Sequence, residues 1–332
     1  MKGNTPGGGP KQSGPDPIVS IIVPAYNTAA YISDTLDSVF AQTRTDYEVI
    51  VINDGSPDTE GLERVLLRYR ERIHYIKQEN RGLSGARNTG IRATRAPLIA
   101  LLDSDDIWEP DYLAVQVGAM ERDPTIDVMY ANALVFGDAP EAGRTFMELC
   151  PSEGQVTFEA LVTGRCTVMV STTIRREAIL RAGMFDESLR GSEDFDLWLR
   201  LIKQGGKIAY HRQVLIRYRR RGGSLMTDMV AMAKEQLRVL EKASQMTNLT
   251  PAETDVVGRQ TLRIRALHAF HEGKRSFLKG DVKSAIDQLG HANTYLKSRR
   301  MAFILVLMRL APGLLLRAYR LRDRFVFGTS TY

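Results

Sequence analysis

The sequence predicts an α/β fold on a mostly parallel central sheet flanked by helices, followed by an all-helical module. Three observations carry that expectation. Short β-branched runs alternate with amphipathic helical segments through the first half of the chain, the pattern of a doubly wound sheet. Polar clusters follow the apolar runs directly, at the place where such a sheet binds ligands. Beyond about Gly223 the composition turns to Met, Ala, Leu, Lys and Gln, with few β-branched runs.

The first 16 residues, MKGNTPGGGPKQSGPD, are too rich in Gly and Pro to bury a face and are expected to be a disordered tail. The first strand is IVSIIV from Ile18. A helix over Ala29 to Ala41 places Ile32, Leu36, Val39 and Phe40 on one side. The second strand is YEVIVIN from Tyr47, and a second helix, Gly61 to Arg72, presents Leu62, Val65, Leu66 and Tyr69. Strands IHYIK from Ile73 and PLIALLD from Pro97 complete the alternation. A strand-rich stretch, CTVMVSTTIRR from Cys166, leads to a short helix and then to SEDFDLWLRLIKQGG, where Phe195, Leu197, Trp198, Leu201 and Ile202 form a helical stripe. Further on, an α-hairpin is expected to turn at Gly280-Asp281, with Ala266, Ala269, Phe270, Phe277, Ala285, Leu289 and Ala292 at packing spacing. The expected boundaries are a tail over 1–16, an α/β domain over 17–224, a helical module over 225–298 and a basic amphipathic segment over 299–332.

Composition narrows the function classes. A length of 332 residues with 43% apolar content allows one sizeable core and a smaller appendage. The formal charge of +6 points to anionic partners without choosing among them. Two cysteines, Cys150 and Cys166, stand outside any CxxC spacing and read as reduced thiols of a cytoplasmic protein, and no apolar run follows Lys2 to make a signal peptide. The histidines form no HExxH pattern, and GxSxG, Walker-type and GxGxxG motifs are absent, which disfavours hydrolase, P-loop kinase and dehydrogenase chemistry. The basic residues show no nucleic-acid-binding motif, so no nucleic-acid partner is expected.

The polar clusters carry the chemistry, and each has a plain alternative. Three carboxylates within Asp103-Ser104-Asp105-Asp106 repel one another unless a cation intervenes; Mg2+ or Mn2+ would accept them with positions left for diphosphate oxygens. The alternative is a solvated turn in which Asp106 or Asp111 caps the next helix. Asp54, in NDGS, reads as a turn residue or as an acceptor for a base N–H. Arg87 follows the small residues Gly82, Ser84 and Gly85 and reads as a surface arginine or a phosphate ligand. Asp194, beside Glu193 at a helix start, reads as a helix-terminal charge or a general base.

Taken in order, SIIVPAYN, EVIVINDGS, NRGLSGARNTG, LIALLDSDDIWEPDYL and SEDFDLWLRL resemble glycosyltransferase family 2, whose members have the GT-A fold, over residues 18–224. The resemblance implies that Pro24, Tyr26 and Asp54 line the nucleotide base pocket, that Arg87 approaches base or diphosphate, and that Asp103 contacts ribose. Asp105 would be the ligand of a Mn2+ or Mg2+ cofactor, and Asp194 the base. It further implies an inverting transfer from a nucleotide-sugar, a UDP-sugar by family habit, to a hydroxyl of a glycan or lipid-linked acceptor in cell-surface polysaccharide or glycolipid synthesis. Many relatives close the domain with Tyr-Arg-x-His-x-x-Ser, whereas Tyr218-Arg219-Arg220-Arg221-Gly222-Gly223-Ser224 puts Arg221 at the histidine's place. Arg221 then reads either as a diphosphate contact that lessens metal dependence or as a basic strand end.

Competing readings are a sugar-nucleotide pyrophosphorylase, for which PAYN lacks a Gly-rich loop, and a processive synthase, for which a QxxRW motif and several membrane spans are missing. A catalytically inactive nucleotide- or glycan-binding protein on the same fold is the alternative from another class. At the far end, Arg299, Arg300, Arg309, Arg317, Arg320, Arg322 and Arg324 flank AFILVLM and LLL. Arg309 and Pro312 interrupt this stretch, which falls short of the roughly 20 residues of a membrane span. It reads as a helix lying on the inner face of the cell membrane against anionic headgroups, or as one packed on protein.

Overall fold

The computed structural model describes residues 16–221 and 228–317. Residues 1–15 of the tail expected over 1–16, the residues Gly222, Gly223 and Ser224, and the arginines Arg320, Arg322 and Arg324 lie outside the described residues. The chain divides into two compact units, Met1–Ser224 and Leu225–Tyr332.

In the first unit, chain order runs β1 (Val19–Ala25), α1 (Ile32–Phe40), β2 (Tyr47–Asp54), α2 (Thr59–Leu66), β3 (His74–Gln78), α3 (Gly82–Ala93), β4 (Leu98–Leu101), β5 (Ile107–Trp108) and α4 (Tyr112–Arg122). It continues with β6 (Val128–Gly137), α5 (Phe146–Leu149), α6 (Phe158–Thr163), β7 (Thr172–Arg175), α7 (Arg176–Arg181), α8 (Glu193–Lys203) and β8 (Ile208–Arg220). Every residue of β1 is buried, because helices cover both faces of the parallel strands and no position alternates to solvent. Helix α1 starts at Ile32 rather than Ala29, since the Thr28 carbonyl first closes a turn on the backbone N–H groups of Tyr31 and Ile32. Helix α2 ends at Leu66, and its expected last turn tightens into a 3-10 segment, Leu67–Tyr69.

One sheet carries all eight strands in the order β3-β2-β1-β4-β7-β6-β8-β5. Strands β3, β2, β1 and β4 are parallel, β7 runs antiparallel to both β4 and β6, β6 and β8 are parallel, and β5 returns antiparallel on β8. Of CTVMVSTTIRR only Thr172–Arg175 is a strand; Cys166 makes a single bridge to Ser152. Strands β6 and β8 escape sequence reading because a register shift at Asn132 and the polar run His211-Arg212-Gln213 break their period-two patterns.

The second unit is helical: α9 (Met229–Ser244), α10 (Pro251–Leu278), α11 (Val282–Leu296) and α12 (Arg299–Leu310). Side chains cap their starts. Asp228 accepts from Val230 and Ala231, Thr250 and Glu253 form a capping box ahead of Pro251, Asp281 accepts from Ser284 and Ser298 from Met301. The expected hairpin turns at Gly280-Asp281, between α10 and α11. Of its expected packing residues, Ala266, Ala269, Phe277, Ala285, Leu289 and Ala292 are buried.

Helix α3 lies close on the parallel strands because Gly90 has no side chain. A Cβ there would stand 2.5 Å from Ile22 Cγ2 and 2.9 Å from Ile52 Cδ1. The change Gly90→Ala is therefore expected to destabilise the protein by about 1–3 kcal/mol through overpacking, read as a lower midpoint in thermal unfolding followed by circular dichroism. An unchanged midpoint would mean that α3 lifts off the sheet at no cost.

Candidate active site

The loops at the carboxyl ends of β1, β2 and β4 meet as the parallel topology requires. Near the end of β1, Pro24 is in register with Ile52; past the strand, Tyr26 is 50% exposed and Asn27 takes a left-handed conformation with φ of 54°, which asparagine tolerates better than most residues. The Asn27 N–H donates to Ser56 Oγ at 2.7 Å and the Ala29 N–H to Asp58 Oδ2 at 2.8 Å, so the first loop hangs on the second. At the end of β2, Gly55 has φ of 63° and lies so close to Asn80 that a Cβ would meet its backbone N at 2.7 Å. Asp54 is buried; its Oδ1 accepts from Gln78 Nε2 at 2.6 Å and from the Arg81 N–H at 2.9 Å. That carboxylate ties the second strand to the entry of α3.

Arg87 is 1% exposed. Its Nη1 donates to Glu193 Oε1 at 2.6 Å and its Nη2 to Asp103 Oδ1 at 2.8 Å, while the guanidinium lies 5.3 Å from the Phe185 ring centre. Burial alone would lower its pKa, but Asp103 and Glu193 outweigh it and the group stays charged well above the ordinary arginine value. Sequence reading placed Arg87 as a ligand contact; in this structure both its amino groups hold protein carboxylates. The geometry brings Asp103, Arg87 and Glu193 into one chain that ends in the first turn of α8, where Asp194 stands next to Glu193.

Asp194 Oδ1 accepts from the Phe195 N–H at 2.7 Å. Burial, then the neighbouring Glu193 charge, push its pKa up to about 7 against the pull of Arg87. A carboxylate in that range takes and returns protons near neutrality. Sequence reading missed Asn88, one residue from Arg87: its Nδ2 donates to the Phe185 carbonyl at 2.9 Å and its Oδ1 accepts from the Phe185 N–H at 3.0 Å. The local signal was present in GARNTG, a helical asparagine next to the charged residue.

The acidic turn after β4 is held from β8. Residues Ile107 and Arg217 are paired in register, so the alternating residues Arg219 and Arg221 continue toward the turn. Arg219 donates from its backbone N to Asp106 Oδ1 at 2.9 Å, from Nε to the Asp105 carbonyl at 2.8 Å and from Nη2 to Asp34 Oδ2 at 2.8 Å. Arg221 Nε stands 2.9 Å from Asp105 Oδ2, and its Nη1 donates to the Asn27 carbonyl at 3.1 Å. Arg219 was not foreseen, because one arginine in RYRRR looks like another until the strand alternation selects it. Asp106 is buried, and burial followed by Asp103 and Asp105 raises its pKa well above the usual range; Asp105 is raised more mildly by burial and Asp103, with Arg221 opposing.

Asp105 thus already faces a cation, and its side chain keeps 20% exposure. Among the described residues no three His, Cys, Asp or Glu side chains are grouped to hold a metal by themselves. The donor set fits a hard cation shared between Asp105 and phosphate oxygens of a ligand, the usual manner of Mg2+.

Replacing Arg87 by Met leaves Asp103 and Glu193 without their shared counter-charge. We expect a loss of about 3 kcal/mol, seen as a lower denaturation midpoint in urea; a variant as stable as the parent would show that the bridge does not hold the two segments.

The profile of the family described as glycosyl transferase family 2 matches residues 20–179. An uncharacterized glycosyltransferase of Methanocaldococcus jannaschii is 30% identical over 214 residues, 61% of this chain and 71% of the relative. Bacillus subtilis TuaG, named for teichuronic acid biosynthesis, is 29% identical over 223 residues, 66% of this chain and 85% of the relative. The chain spans only 30% of the length of a related Rickettsia bellii protein. Among solved structures, S. aureus TarS 1-349 in complex with UDP-GlcNAc superposes with a TM-score of 0.59 at 16% identity, covering 95% of this chain and 93% of that one. The mannosyltransferase PcManGT of Pyrobaculum calidifontis, in complex with GDP-Man and Mn2+, gives 0.61 at 19% identity, covering 93% and 86%. The fold is the GT-A fold shared by these enzymes, and the chain belongs to glycosyl transferase family 2.

Proposed function

We propose that the chain is an inverting glycosyltransferase that moves a sugar from a nucleotide-sugar donor to a hydroxyl acceptor. The observation that carries the reading is the Arg87 bridge, which joins the acidic turn to the helix start bearing a carboxyl of raised pKa. Pro24, Tyr26 and Asp54 line the base pocket at the ends of β1 and β2, and Asp103 faces the ribose. A divalent cation held at Asp105, when bound, supplies positive charge for the diphosphate. Asp194 accepts the acceptor hydroxyl's proton as that oxygen bonds to the anomeric carbon. The bond from that carbon to the diphosphate breaks, and the nucleoside diphosphate leaves from the opposite face. Two neighbouring structures with nucleotide-sugars bound support such a donor, and we take it to be a UDP-sugar as in the TarS complex. The likeness to TuaG supports an acceptor in a cell-surface polysaccharide or glycolipid.

Water can stand in for the acceptor, so UDP release from a panel of UDP-sugars reads the chemistry directly. Asp194 must be ionised to act, and its pKa is raised to about 7. The rate should therefore level off above that pH and fall about tenfold per unit below it, while Asp194→Asn should lose about 10²–10⁴-fold. A rate unaffected by that substitution would remove Asp194 from the chemistry; a folded chain that binds UDP and releases none would support a binding protein instead.

We also propose that the second unit attaches to an anionic membrane surface, which would place the protein at the inner face of the cell membrane. No helix of the described residues is long and apolar enough to cross one. In α12, Met301, Leu305 and Met308 are buried in a cluster with Phe277, Ala285 and Leu289, while Phe303, Val306, Leu310 and, beyond the helix, Leu314 are exposed. The segment 299–317 carries Arg299, Arg300, Arg309 and Arg317 and no acidic residue, the charge pattern that anionic headgroups attract. The full chain should float with phosphatidylglycerol vesicles and not with neutral ones, and the double change Phe303→Glu, Leu310→Glu should abolish flotation. A chain that stays at the bottom of the gradient with both vesicles would sink the proposal.

A further inference from the structure

The arginine at the end of β8 is placed to do more than close the domain. Asp105 Oδ2 lies 2.9 Å from Arg221 Nε, and the same guanidinium donates from Nη1 to the Asn27 carbonyl at 3.1 Å. It rests 5.2 Å from the Tyr31 ring centre, where Arg219 also lies at 5.1 Å. The two arginines are held differently. Arg219 is fixed by its own backbone on Asp106 and by the Asp105 carbonyl, groups that no ligand would take from it, and its side chain is 16% exposed. Arg221 is 29% exposed; among the described residues it grips the turn through a carboxylate oxygen, with a 3.1 Å hydrogen bond to the Asn27 carbonyl behind it.

We propose that Arg221 is a built-in counter-cation that a divalent metal must displace from Asp105, and that the released guanidinium then binds the donor's diphosphate. The inference rests on the reading of Asp105 as a metal ligand. The Asp105 carboxylate has lone pairs enough for both, but a metal bound to it would stand at contact distance from the Arg221 guanidinium, and two cations so close repel. Metal binding alone therefore works against the Asp105–Arg221 pair. Once a diphosphate is present the displaced arginine gains a better partner, since a planar guanidinium meets phosphate oxygens through two parallel hydrogen bonds. The Tyr31 face and the Asn27 carbonyl keep the guanidinium near when it leaves the carboxylate. Metal and nucleotide then each tighten the other, by linkage, and part of the nucleotide affinity needs no metal.

Calorimetry on the full chain separates the terms, with Mn2+ alone as one probe and UDP in EDTA as the other. Arg221→Gln, checked for an unchanged melting midpoint and repeated with Arg221→Ala, should bind Mn2+ about fivefold more tightly because the competing ion pair is gone. The same variants should bind UDP in EDTA about tenfold more weakly, having lost a charged hydrogen-bond donor. The inference is overturned if Mn2+ affinity in both variants equals or falls below that of the parent while Asp105→Asn abolishes Mn2+ binding; the site reading then stands. If Asp105→Asn leaves Mn2+ binding intact, the site reading fails and this inference with it.

Discussion

Burying a guanidinium is costly unless carboxylates meet its protons, and at Arg87 that requirement organises the site. With 1% exposure the group has no water to turn to, so Asp103 and Glu193 must lie at opposite ends of its fork. Pairing its two amino groups brings the turn after β4 against the start of α8, two segments that share no strand pairing. Asp194 inherits its position from this bridge. Its raised pKa has the same origin, since burial and the adjacent Glu193 outweigh the pull of Arg87. Asn88 reinforces the arrangement by taking both backbone groups of Phe185, whose ring faces the guanidinium.

A second, looser balance operates at the other end of the acidic turn. Three carboxylates in four residues repel one another, and β8 answers with two arginines on one side of the strand. One is committed to the backbone of the turn and to the outlying Asp34; the other holds the turn through the Asp105 carboxylate and is otherwise anchored on the Asn27 carbonyl. On the proposed reading, the contrast between a fixed charge and an exchangeable one lets this acidic turn accept a cation or a phosphate. Hydrogen bonds from the Arg81 N–H to Asp54 and from the Asn27 N–H to Ser56 fix backbone around that centre.

The helical unit follows simpler rules. Its helices are started by side-chain caps, and Gly273 lets α10 lie close on α11, since a Cβ there would meet Leu289 Cγ at 2.7 Å. The side of α12 that carries Phe303, Val306 and Leu310 does not pack in this unit's cluster and is exposed.

The sequence by itself determined the alternation of strand and helix, the polar turns at the strand ends and the α-hairpin turning at Gly280-Asp281. These depend on periodicity and turn chemistry within about ten residues of chain. The family was legible for the same reason, because its motifs are local and occur in order. Strands β6 and β8 were not, since their broken patterns make sense only once each is paired with the other. The partners of the charged residues were hidden as well. Arg87 meets Glu193 from 106 residues away, and Arg221 finds Asp105 only because β8 lies beside β5. Which carboxylate faces which arginine is decided by burial and by strand register, quantities that exist only when distant segments share one interior, and the tertiary structure alone supplies them.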